Sequence, residues 1–385
     1  MDHDVLIVGA GPVGLALALA LQHTGLAIRV ADARPLAAAA DDPRTLALSH
    51  GTRIALEQLG VWSGLSATAI TTIHVSQQGG FGRTVIRAQE EGVPALGHVV
   101  TAGALARALR ARIDSPNVEF AYGTEVSTTG PGAPDGTTIA LTPCDGAASA
   151  INCTTRLLAC AEGGLAGSGA GVVEHDYAQT ALIGFAKAAG GHCNTAFERF
   201  TPEGPLALLP CDDGYALVHV VATARAEALR NLDAPAYLSE LQRHLGGRVR
   251  LTEVGARLCY PLALRYRKAT TAARTIWLGN AAQTLHPVAG QGFNLALRDV
   301  LALSQRLLRH GGDPGDPELL ADYRRARRLD RAGTIGFTDT LVRTFSSDLA
   351  PLRHLRGLGL FALDTLPPLR SFVARRMMFG ARVWP

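Results

Sequence analysis

The hydrophobic pattern at the start of the chain predicts a strand, a helix and a second strand. Residues 5–8 form a short aliphatic run that is typical of a buried parallel strand. An alanine- and leucine-rich helical pattern follows and ends near Gly25, and residues 28–31 are a second aliphatic run. This succession predicts the opening of an α/β domain built on a parallel sheet.

The middle of the chain alternates between apolar and polar positions, as the strands of a half-buried sheet do. Residues 70–95 predict a hairpin that leaves the first domain, and residues 177–260 predict the strands of a second domain. We therefore assign residues 71–96 and 173–260 to an inserted, sheet-based substrate domain. The predicted nucleotide-binding domain is discontinuous and comprises 1–70, 97–172 and 261–346.

Helical spacing dominates the last third of the chain. Residues 294–309 place their apolar side chains on one core-facing stripe, and two further helical patterns cover about 317–346 and 348–380. Residues 347–385 are therefore expected to form a C-terminal helical region.

The glycines after the first predicted strand have the spacing of a dinucleotide-binding turn. Gly9 makes the tight turn, Gly11 admits a pyrophosphate, and Gly14 lets the helix and the strand pack. Asp32 ends the second strand and can accept hydrogen bonds from a ribose diol, although a surface turn acid is the alternative at this place. With Pro12 at the helix start, the pattern predicts an adenine dinucleotide site.

A second cluster of glycine and polar residues lies in the segment 278–300. Glycines just ahead of a helix let backbone N–H groups approach a ligand, and the helix start favours an anionic group. We predict a second ligand-binding loop with the following members: Gly279, Asn280, His286, Pro287, Gly290, Gln291, Gly292 and Asn294.

Composition narrows the class of protein. The 385 residues are enough for two or three structural units, and 47% hydrophobic residues can fill sizeable cores. The net charge is only +4, and no dense basic run accompanies an aromatic platform, so nucleic acid is not an expected partner. Six scattered cysteines without metal spacing predict reduced thiols and no metal site. The first residues lack a basic n-region and the apolar run 15–21 is too short to span a bilayer, so we expect neither a signal peptide nor a transmembrane helix.

The two motifs together resemble those of the aromatic hydroxylases that bind FAD, and more narrowly the ubiquinone-biosynthesis hydroxylases. Within that group the chain is most similar to the hydroxylases of 2-polyprenyl-6-methoxyphenol, and blocks such as 73–76, 197–205 and 330–345 extend the resemblance over most of the sequence. It implies a p-hydroxybenzoate-hydroxylase-like fold, in which a Rossmann-like FAD-binding domain carries an inserted substrate domain. It also implies that Arg44 lies against the cofactor, whereas an arginine judged alone at this place would be solvated.

The resemblance implies a flavin-dependent monooxygenase. NAD(P)H would reduce bound FAD, oxygen would form a C4a-hydroperoxide, and a prenylated methoxyphenol of ubiquinone biosynthesis would be hydroxylated. Backbone N–H groups at 290–292 would stabilise negative charge on the reduced flavin. His286 and Pro287 would line the ring side of the flavin, and His286 is the candidate general base.

Two departures from the family pattern support an alternative. Glu162 stands where the family has the aspartate of an Asp-Gly pair, and Ala166 stands near the place of a usual serine. The alternative function is a flavin-binding scaffold or a weakly active subunit of a quinone-biosynthesis assembly. A disulfide reductase and a flavin halogenase are disfavoured, because the chain lacks a redox cysteine pair and a Trp-x-Trp motif.

The C-terminal region combines leucine and aromatic residues with six arginines over 349–384. A basic amphipathic tail can lie in a membrane interface, where a polyprenyl substrate would reside. We therefore expect a cytoplasmic protein that touches the inner face of the membrane through this tail. A helix packed against the nucleotide domain is the alternative.

Overall fold

The computed structural model describes residues 1–128, 135–146, 149–165, 171–345 and 350–380. The strands within these ranges are β1 (His3–Val8), β2 (Ile28–Asp32), β3 (Thr45–Ser49), β4 (Thr68–Ile70), β5 (Thr72–Gln77), β6 (Arg83–Arg87), β7 (Gly97–Thr101), β8 (Val118–Tyr122), β9 (Thr124–Thr128), β10 (Thr137–Pro143), β11 (Ile151–Cys160), β12 (Val172–Ala188), β13 (Thr195–Phe200), β14 (Pro205–Cys211), β15 (Gly214–Ala222), β16 (Leu251–Val254), β17 (Leu258–Arg267), β18 (Thr271–Ala272), β19 (Thr275–Trp277) and β20 (Gln283–Thr284). The α-helices are α1 (Pro12–Leu21), α2 (Leu36–Ala40), α3 (His50–Gln58), α4 (Ala102–Arg110), α5 (Thr223–Asn231), α6 (Ala234–Leu245), α7 (Gln291–His310), α8 (Pro317–Phe345), α9 (Ala350–Thr365) and α10 (Pro367–Phe379).

The first sheet has the strand order β18-β19-β11-β1-β2-β8, with β10 and β9 continuing from β11. Strand β1 pairs in parallel with both β2 and β11, so that Val5 lies opposite Ile28 on one side and Leu157 on the other. These three side chains belong to one core with residues of α1, α4 and α7. Parallel strands buried on both faces need continuous aliphatic runs, which is why the opening pattern predicts this sheet correctly.

The second sheet has the order β20-β17-β12-β15-β14-β13-β5-β6, and β16 pairs with β12. The segment 71–96 supplies β5 and β6, and β5 joins the sheet by parallel pairing with β13. Helices α5 and α6 contribute to a hydrophobic core with β12, β14 and β15, in which Tyr237 and Leu241 are completely buried. The predicted return to the nucleotide domain at 261 falls within β17, which stays in this sheet to Arg267.

A small third sheet, β3-β7-β4, lies beside the start of α7. A buried ion network joins α7 to α8, because Arg327 donates from Nε to Asp299 at 2.5 Å and from Nη2 to Asp330 at 2.7 Å. Arg298 donates to the same Asp330 oxygen at 2.8 Å. The network holds α8 against the first domain.

The helical pattern predicted over 348–380 is two helices rather than one. Helix α9 ends at Thr365 and α10 begins at Pro367, because Pro367 and Pro368 have no backbone N–H to continue the helix of the preceding turn. Leu360 of α9 and Ala374 and Met378 of α10 are buried against the rest of the chain. Several residues discussed from the sequence lie outside the described ranges: Ala166, Leu349, Arg382, Trp384 and part of the loop 130–136.

Candidate functional site

The glycine loop, residues 9–14, connects β1 to α1 as the spacing predicts. Gly9 has a φ of +105°, and a Cβ at this residue would lie 2.8 Å from the Ala161 carbonyl oxygen. A Cβ at Gly14 would lie 1.9 Å from the Gly9 carbonyl oxygen. Both glycines are therefore required by the packing of the loop itself.

Gly11 differs from its two partners. A Cβ at Gly11 would meet no atom of the described structure within 4 Å. The residue precedes Pro12 at the start of α1, and no side chain caps this helix start in the described structure. An open space above an uncapped helix start, where backbone N–H groups carry partial positive charge, fits a pyrophosphate.

Asp32 lies at the carboxyl end of β2 and reaches back to the glycine loop. Its Oδ2 accepts a hydrogen bond from the Ala10 N–H at 2.7 Å, and Arg34 donates its backbone N–H, Nε and Nη2 at 2.8, 3.0 and 2.8 Å. Against the opposing effect of burial, these bonds hold the pKa of Asp32 below its ordinary value. Since a carboxylate has about four acceptor positions, a ribose hydroxyl needs the Arg34 guanidinium to move aside. The ribose contact of Asp32 stays a prediction.

The second motif packs directly on the first. Gly279 has a φ of +56°, and a Cβ there would lie 3.0 Å from Cγ2 of Val13 in the glycine loop. Leu278 donates its N–H to the Cys160 carbonyl at 2.9 Å, and Asn280 donates to the Gly163 carbonyl at 3.3 Å. Two segments separated by more than 250 residues thus meet at the carboxyl ends of β1 and β11.

The second loop, residues 286–294, extends this contact to the third sheet. A Cβ at Gly290, whose φ is +58°, would lie 2.8 Å from the Ala47 Cβ. Asn294 is buried and accepts the Ser49 N–H at 2.8 Å while it donates to the carbonyl oxygens of Ala47 and Gly290 at 2.9 and 2.8 Å. Gln291 donates to the Met377 carbonyl of α10 at 3.4 Å. The predicted residues of this loop therefore hold its shape, and their contacts with a cofactor stay a prediction.

His286 is 1% exposed and is not among the described residues that line the apolar cavity presented below. Burial lowers the pKa of His286 to about 4, so that the ring is neutral at pH 7. Its Nδ1 accepts the Val288 N–H at 3.1 Å, which places the ring proton on Nε2. In this tautomer neither nitrogen is free to take a proton. The role of His286 as a general base stays a prediction.

The structure places Arg44 just before β3 and Glu162 just after β11. Arg44 donates from Nη2 to Asp42 at 2.5 Å and is 45% exposed in its side chain. Glu162 follows β11, directly beside the position of Gly9, and burial raises the pKa of its carboxyl group. The contact of Arg44 with a cofactor stays a prediction.

A cavity of about 730 Å³ separates the second loop from the second sheet. Pro287, Gly290, Gln291 and Asn294 line one side of it, together with Ser49 of β3. Strands β5, β6, β13, β14 and β15 provide the opposite wall, and α8, α9 and α10 close the remaining side. The walls are almost entirely apolar. The volume lies within the range of about 300–1,000 Å³ that is usual for small-molecule sites, and the walls suit an apolar ligand.

Comparisons with known proteins agree with this geometry. A family model described as an FAD binding domain matches residues 2–335. The ubiquinone hydroxylase UbiL of Rhodospirillum rubrum is 32% identical over 99% of this chain and 91% of that protein. The 3-demethoxyubiquinol 3-hydroxylase of Escherichia coli is 30% identical over 94% of each chain. The crystal structure of p-nitrophenol 4-monooxygenase PnpA from Pseudomonas putida DLL-E4 superposes with a TM-score of 0.77, at 16% identity and 99% coverage of both chains.

Fold and site together define an FAD-dependent monooxygenase, and the predicted fold class is confirmed. The chain belongs to the family of FAD-dependent aromatic hydroxylases that includes the ubiquinone hydroxylases. FAD is its cofactor. The open space at Gly11, the uncapped start of α1 and the second loop all fit this cofactor.

Two parts of the site escape sequence reasoning. Glu198 lies in the cavity wall on β13, within the segment 197–205 that resembles the family but in which the sequence assigns no role to this residue. The available signal is a single acid between Ala196 and Phe200, the apolar residues on the same face of β13. Helices α9 and α10 close the cavity, which their amphipathic pattern does not reveal.

Proposed function

We propose that the protein hydroxylates a prenylated methoxyphenol in ubiquinone biosynthesis. The activities of two relatives, a ubiquinone hydroxylase and a 3-demethoxyubiquinol 3-hydroxylase, support a phenolic or quinone-type substrate. One oxygen atom of O2 enters the ring, NAD(P)H provides two electrons, and the second oxygen atom leaves as water. FAD, when bound, supplies the electron transfer and the activation of oxygen.

The apolar cavity carries this proposal. It extends from the second loop to α9 and α10, where Leu355 and Leu369 both line the cavity and are exposed by 60% and 42%. A ring placed near the second loop could therefore extend an apolar chain towards the surface between these helices. A short polar phenol would leave most of these walls without contacts.

The residues of the chain position the reactants and exclude water. Phe200 of β13 and Phe345 of α8 stack with ring centroids 3.6 Å apart, and both line the cavity beside Val288. This contact joins the second sheet to α8 next to the second loop. A dry site protects a reactive oxidant from hydrolysis and side reactions. The N–H groups at the start of α7 offer positive potential to a reduced, anionic ring.

Oxygen incorporation tests the proposal. Purified, flavin-loaded protein is incubated with NAD(P)H, ¹⁸O2 and 2-geranyl-6-methoxyphenol, and the product is examined by mass spectrometry. We expect one labelled oxygen atom per product molecule and faster NAD(P)H oxidation when the phenol is present. A protein that binds flavin but gives no labelled product would contradict the proposal and favour the scaffold alternative.

We also infer that α9 and α10 face a membrane surface from which the substrate enters. Their outward side exposes six large apolar residues: Leu355, Leu358, Phe361, Leu366, Leu369 and Phe372. Their inward side packs on the protein, and Arg370 forms an ion pair with Glu90 at 3.0 Å. The two helices thus combine internal packing with an exposed apolar face, which suits an interfacial contact. Among the helices of the described ranges, none has the length and hydrophobicity to cross a bilayer.

Vesicle binding tests this contact. We expect Phe361→Glu with Phe372→Glu to lower the partition coefficient on phospholipid vesicles by at least about 100-fold, because two aromatic side chains that enter the interface contribute about 3 kcal/mol or more to binding. Leu329→Glu is the matched control, since Leu329 is 74% exposed on α8 outside this face. Equal binding of both variants would contradict the contact.

A further inference from the structure

A row of five residues crosses the cavity wall on neighbouring strands of the second sheet. Thr84 of β6 pairs with Val75 of β5, Val75 with Glu198 of β13, Glu198 with Ala207 of β14, and Ala207 with Val218 of β15. All five line the cavity. Paired residues of adjacent strands project from the same face. The row is therefore a transverse band that a ligand in the cavity would cover.

Two polar atoms in this row have no partner. Oε1 of Glu198 and Oγ1 of Thr84 are buried, and neither has a hydrogen-bond partner in the part of the chain that the structure describes. Val75 lies between them, so that their backbones are two strand spacings, about 10 Å, apart. Buried side-chain oxygens almost always have a partner. An aromatic ring over Val75 with two oxygen substituents would provide a hydrogen-bond partner for Oε1 of Glu198 and another for Oγ1 of Thr84.

The electrostatic surroundings of Glu198 are simple. Among the described residues that line the cavity, two are ionisable: Glu198 and Arg356 of α9. Nη1 of Arg356 donates a hydrogen bond to the Phe345 carbonyl oxygen at 2.7 Å. No ionisable side chain of β14, the second loop, α8 or α10 lines the described cavity wall. His74 of β5 and Arg199 of β13 project from the opposite face, one residue out of phase. Burial raises the pKa of Glu198 to about 7.

The position of Glu198 relative to the cofactor loop is also defined. Phe200 lies two residues further along the same face of β13, about 7 Å away along the strand. Phe200 and Val75 belong to one hydrophobic cluster with Val288 of the second loop. A ring that lies over Val75 is therefore close both to Glu198 and to the loop that would hold the flavin ring.

We propose that Glu198 is a catalytic residue that binds and deprotonates the phenolic hydroxyl of the substrate, and that Thr84 binds a second oxygen substituent of the same ring. This inference rests on the proposed function, since it requires a phenol. The O–H proton moves to Oε1 of Glu198, and the electron pair of that bond stays on the phenolic oxygen. The ring carbons ortho and para to this oxygen then become more nucleophilic. When one of them has gained a hydroxyl group and lost its hydrogen as a proton, the proton on Glu198 returns to the phenolic oxygen.

The proposal predicts a dependence on pH. Below pH 7 Glu198 is neutral and cannot accept the phenolic proton, and above pH 7 it is a carboxylate that can. The dissociation constant of a phenol should therefore fall as the pH rises through about 7, by about fivefold, because a hydrogen bond to a charged acceptor is stronger than one to a neutral acceptor. The rate of hydroxylation should rise over the same range.

The experiment compares Glu198→Gln, Thr84→Val and the control Glu253→Gln in flavin-loaded protein. Glu253 lies on β16 of the same sheet, and its side chain is 70% exposed. Binding of 2-geranyl-6-methoxyphenol is titrated between pH 6 and 8.5 without NAD(P)H, through the change in flavin absorbance. Turnover is measured as labelled product from ¹⁸O2. The glutamine preserves the shape of Glu198, which has no protein partner to lose at Oε1.

In Glu198→Gln we expect phenol binding that no longer depends on pH, a dissociation constant about fivefold higher than that of the wild type at pH 8, and a kcat at least about 100-fold lower. Thr84→Val should raise the dissociation constant about fivefold and keep the midpoint near pH 7. The control should match the wild type. A Glu198→Gln protein that keeps the pH dependence, or a kcat within threefold of the wild type, would overturn the inference alone. A wild-type protein that binds no phenol and incorporates no oxygen would overturn the proposed function and this inference together.

Discussion

Replacement of Gly11 by alanine separates cofactor binding from folding. Gly11 has a φ of −79° and a ψ of 179°, which alanine adopts without strain, and the added Cβ meets no protein atom within 4 Å. Replacing glycine by alanine at the N-cap lowers the free energy of unfolding by about 1 kcal/mol. The unfolded chain with alanine has less conformational entropy, which raises the free energy of unfolding by about 0.4–1 kcal/mol. The melting temperature of the flavin-free protein should therefore change by less than about 3 °C.

The affinity for FAD should change far more. The new methyl group occupies the space through which the pyrophosphate passes, so that one or two hydrogen bonds from backbone N–H groups to a charged phosphate are lost. Each is worth about 1.5–3 kcal/mol, which raises the dissociation constant roughly 10- to 150-fold for each bond. Quenching of flavin fluorescence measures this constant, and differential scanning calorimetry measures the melting temperature.

Two further variants frame the result. Gly64→Ala is the matched control, since a Cβ at Gly64 also meets nothing within 4 Å and its φ is not positive, and it should change neither quantity. Gly14→Ala should destabilise the fold, because its Cβ would lie 1.9 Å from the Gly9 carbonyl oxygen. If Gly11→Ala binds FAD as tightly as the wild type, the pyrophosphate does not pass this residue and the reasoning is refuted.

Three other variants test the supports of the site. Asn294→Ala removes three hydrogen bonds and leaves the buried N–H of Ser49 without a partner. Urea titration should therefore give a free energy of unfolding about 2–4 kcal/mol lower. A change below about 0.5 kcal/mol, roughly the error of such a titration, would show that these bonds do not hold the loop. Asp32→Ala should raise the dissociation constant for FAD by more than about tenfold. Arg34→Ala frees acceptor positions on Asp32 and should change this constant by less than about fivefold. A larger effect of Arg34→Ala than of Asp32→Ala would contradict the assignment of Asp32 to the ribose. Arg327→Met leaves the carboxylate of Asp299 buried without its cation and should cost about 3–5 kcal/mol, and an unchanged thermal unfolding curve would argue against a structural role of the ion network.

The first domain could be predicted because its signals are local. The aliphatic run of β1, the glycine spacing and the acid at the end of β2 all lie within the first 32 residues. Each feature satisfies a requirement of the turn itself, as the close approach of Gly14 to Gly9 demonstrates. Requirements of this kind fix the residue types within one short segment, so the segment can be recognised without the rest of the chain.

From the sequence, only the resemblance to FAD-binding hydroxylases indicates that the two motifs bind one cofactor together. The physical reason for their contact is visible only in the fold. Nothing in the spacing of residues 278–300 requires contact with the glycine loop. The contact depends on Gly279, whose missing side chain lets the segment approach Val13. It also depends on β19, which pairs with β11 at Trp277 and so brings Gly279 to the end of the parallel sheet.

The substrate side of the site could not be predicted, because it is assembled from distant segments. The row that contains Thr84 and Glu198 depends on the pairing of β5 with β13, which lies more than 100 residues further along the chain than the hairpin of β5 and β6. Strand register is set by such long-range pairing, and a shift by one residue would turn Glu198 to the other face. The ion pair between Asp32 and Arg34 is local in sequence, but it could not be predicted either. Several donors can bind the Asp32 carboxylate, and only the geometry decides which of them do so.

A crystal structure of the FAD complex tests the central claim most directly. We expect the pyrophosphate within hydrogen-bonding distance of the N–H groups of Gly11 and Val13, and the isoalloxazine ring against residues 287–292 at the edge of the apolar cavity. Both contacts must belong to one cofactor molecule. A flavin ring bound away from the second loop, or a pyrophosphate bound away from Gly11, would contradict the claim that the two motifs form a single cofactor site.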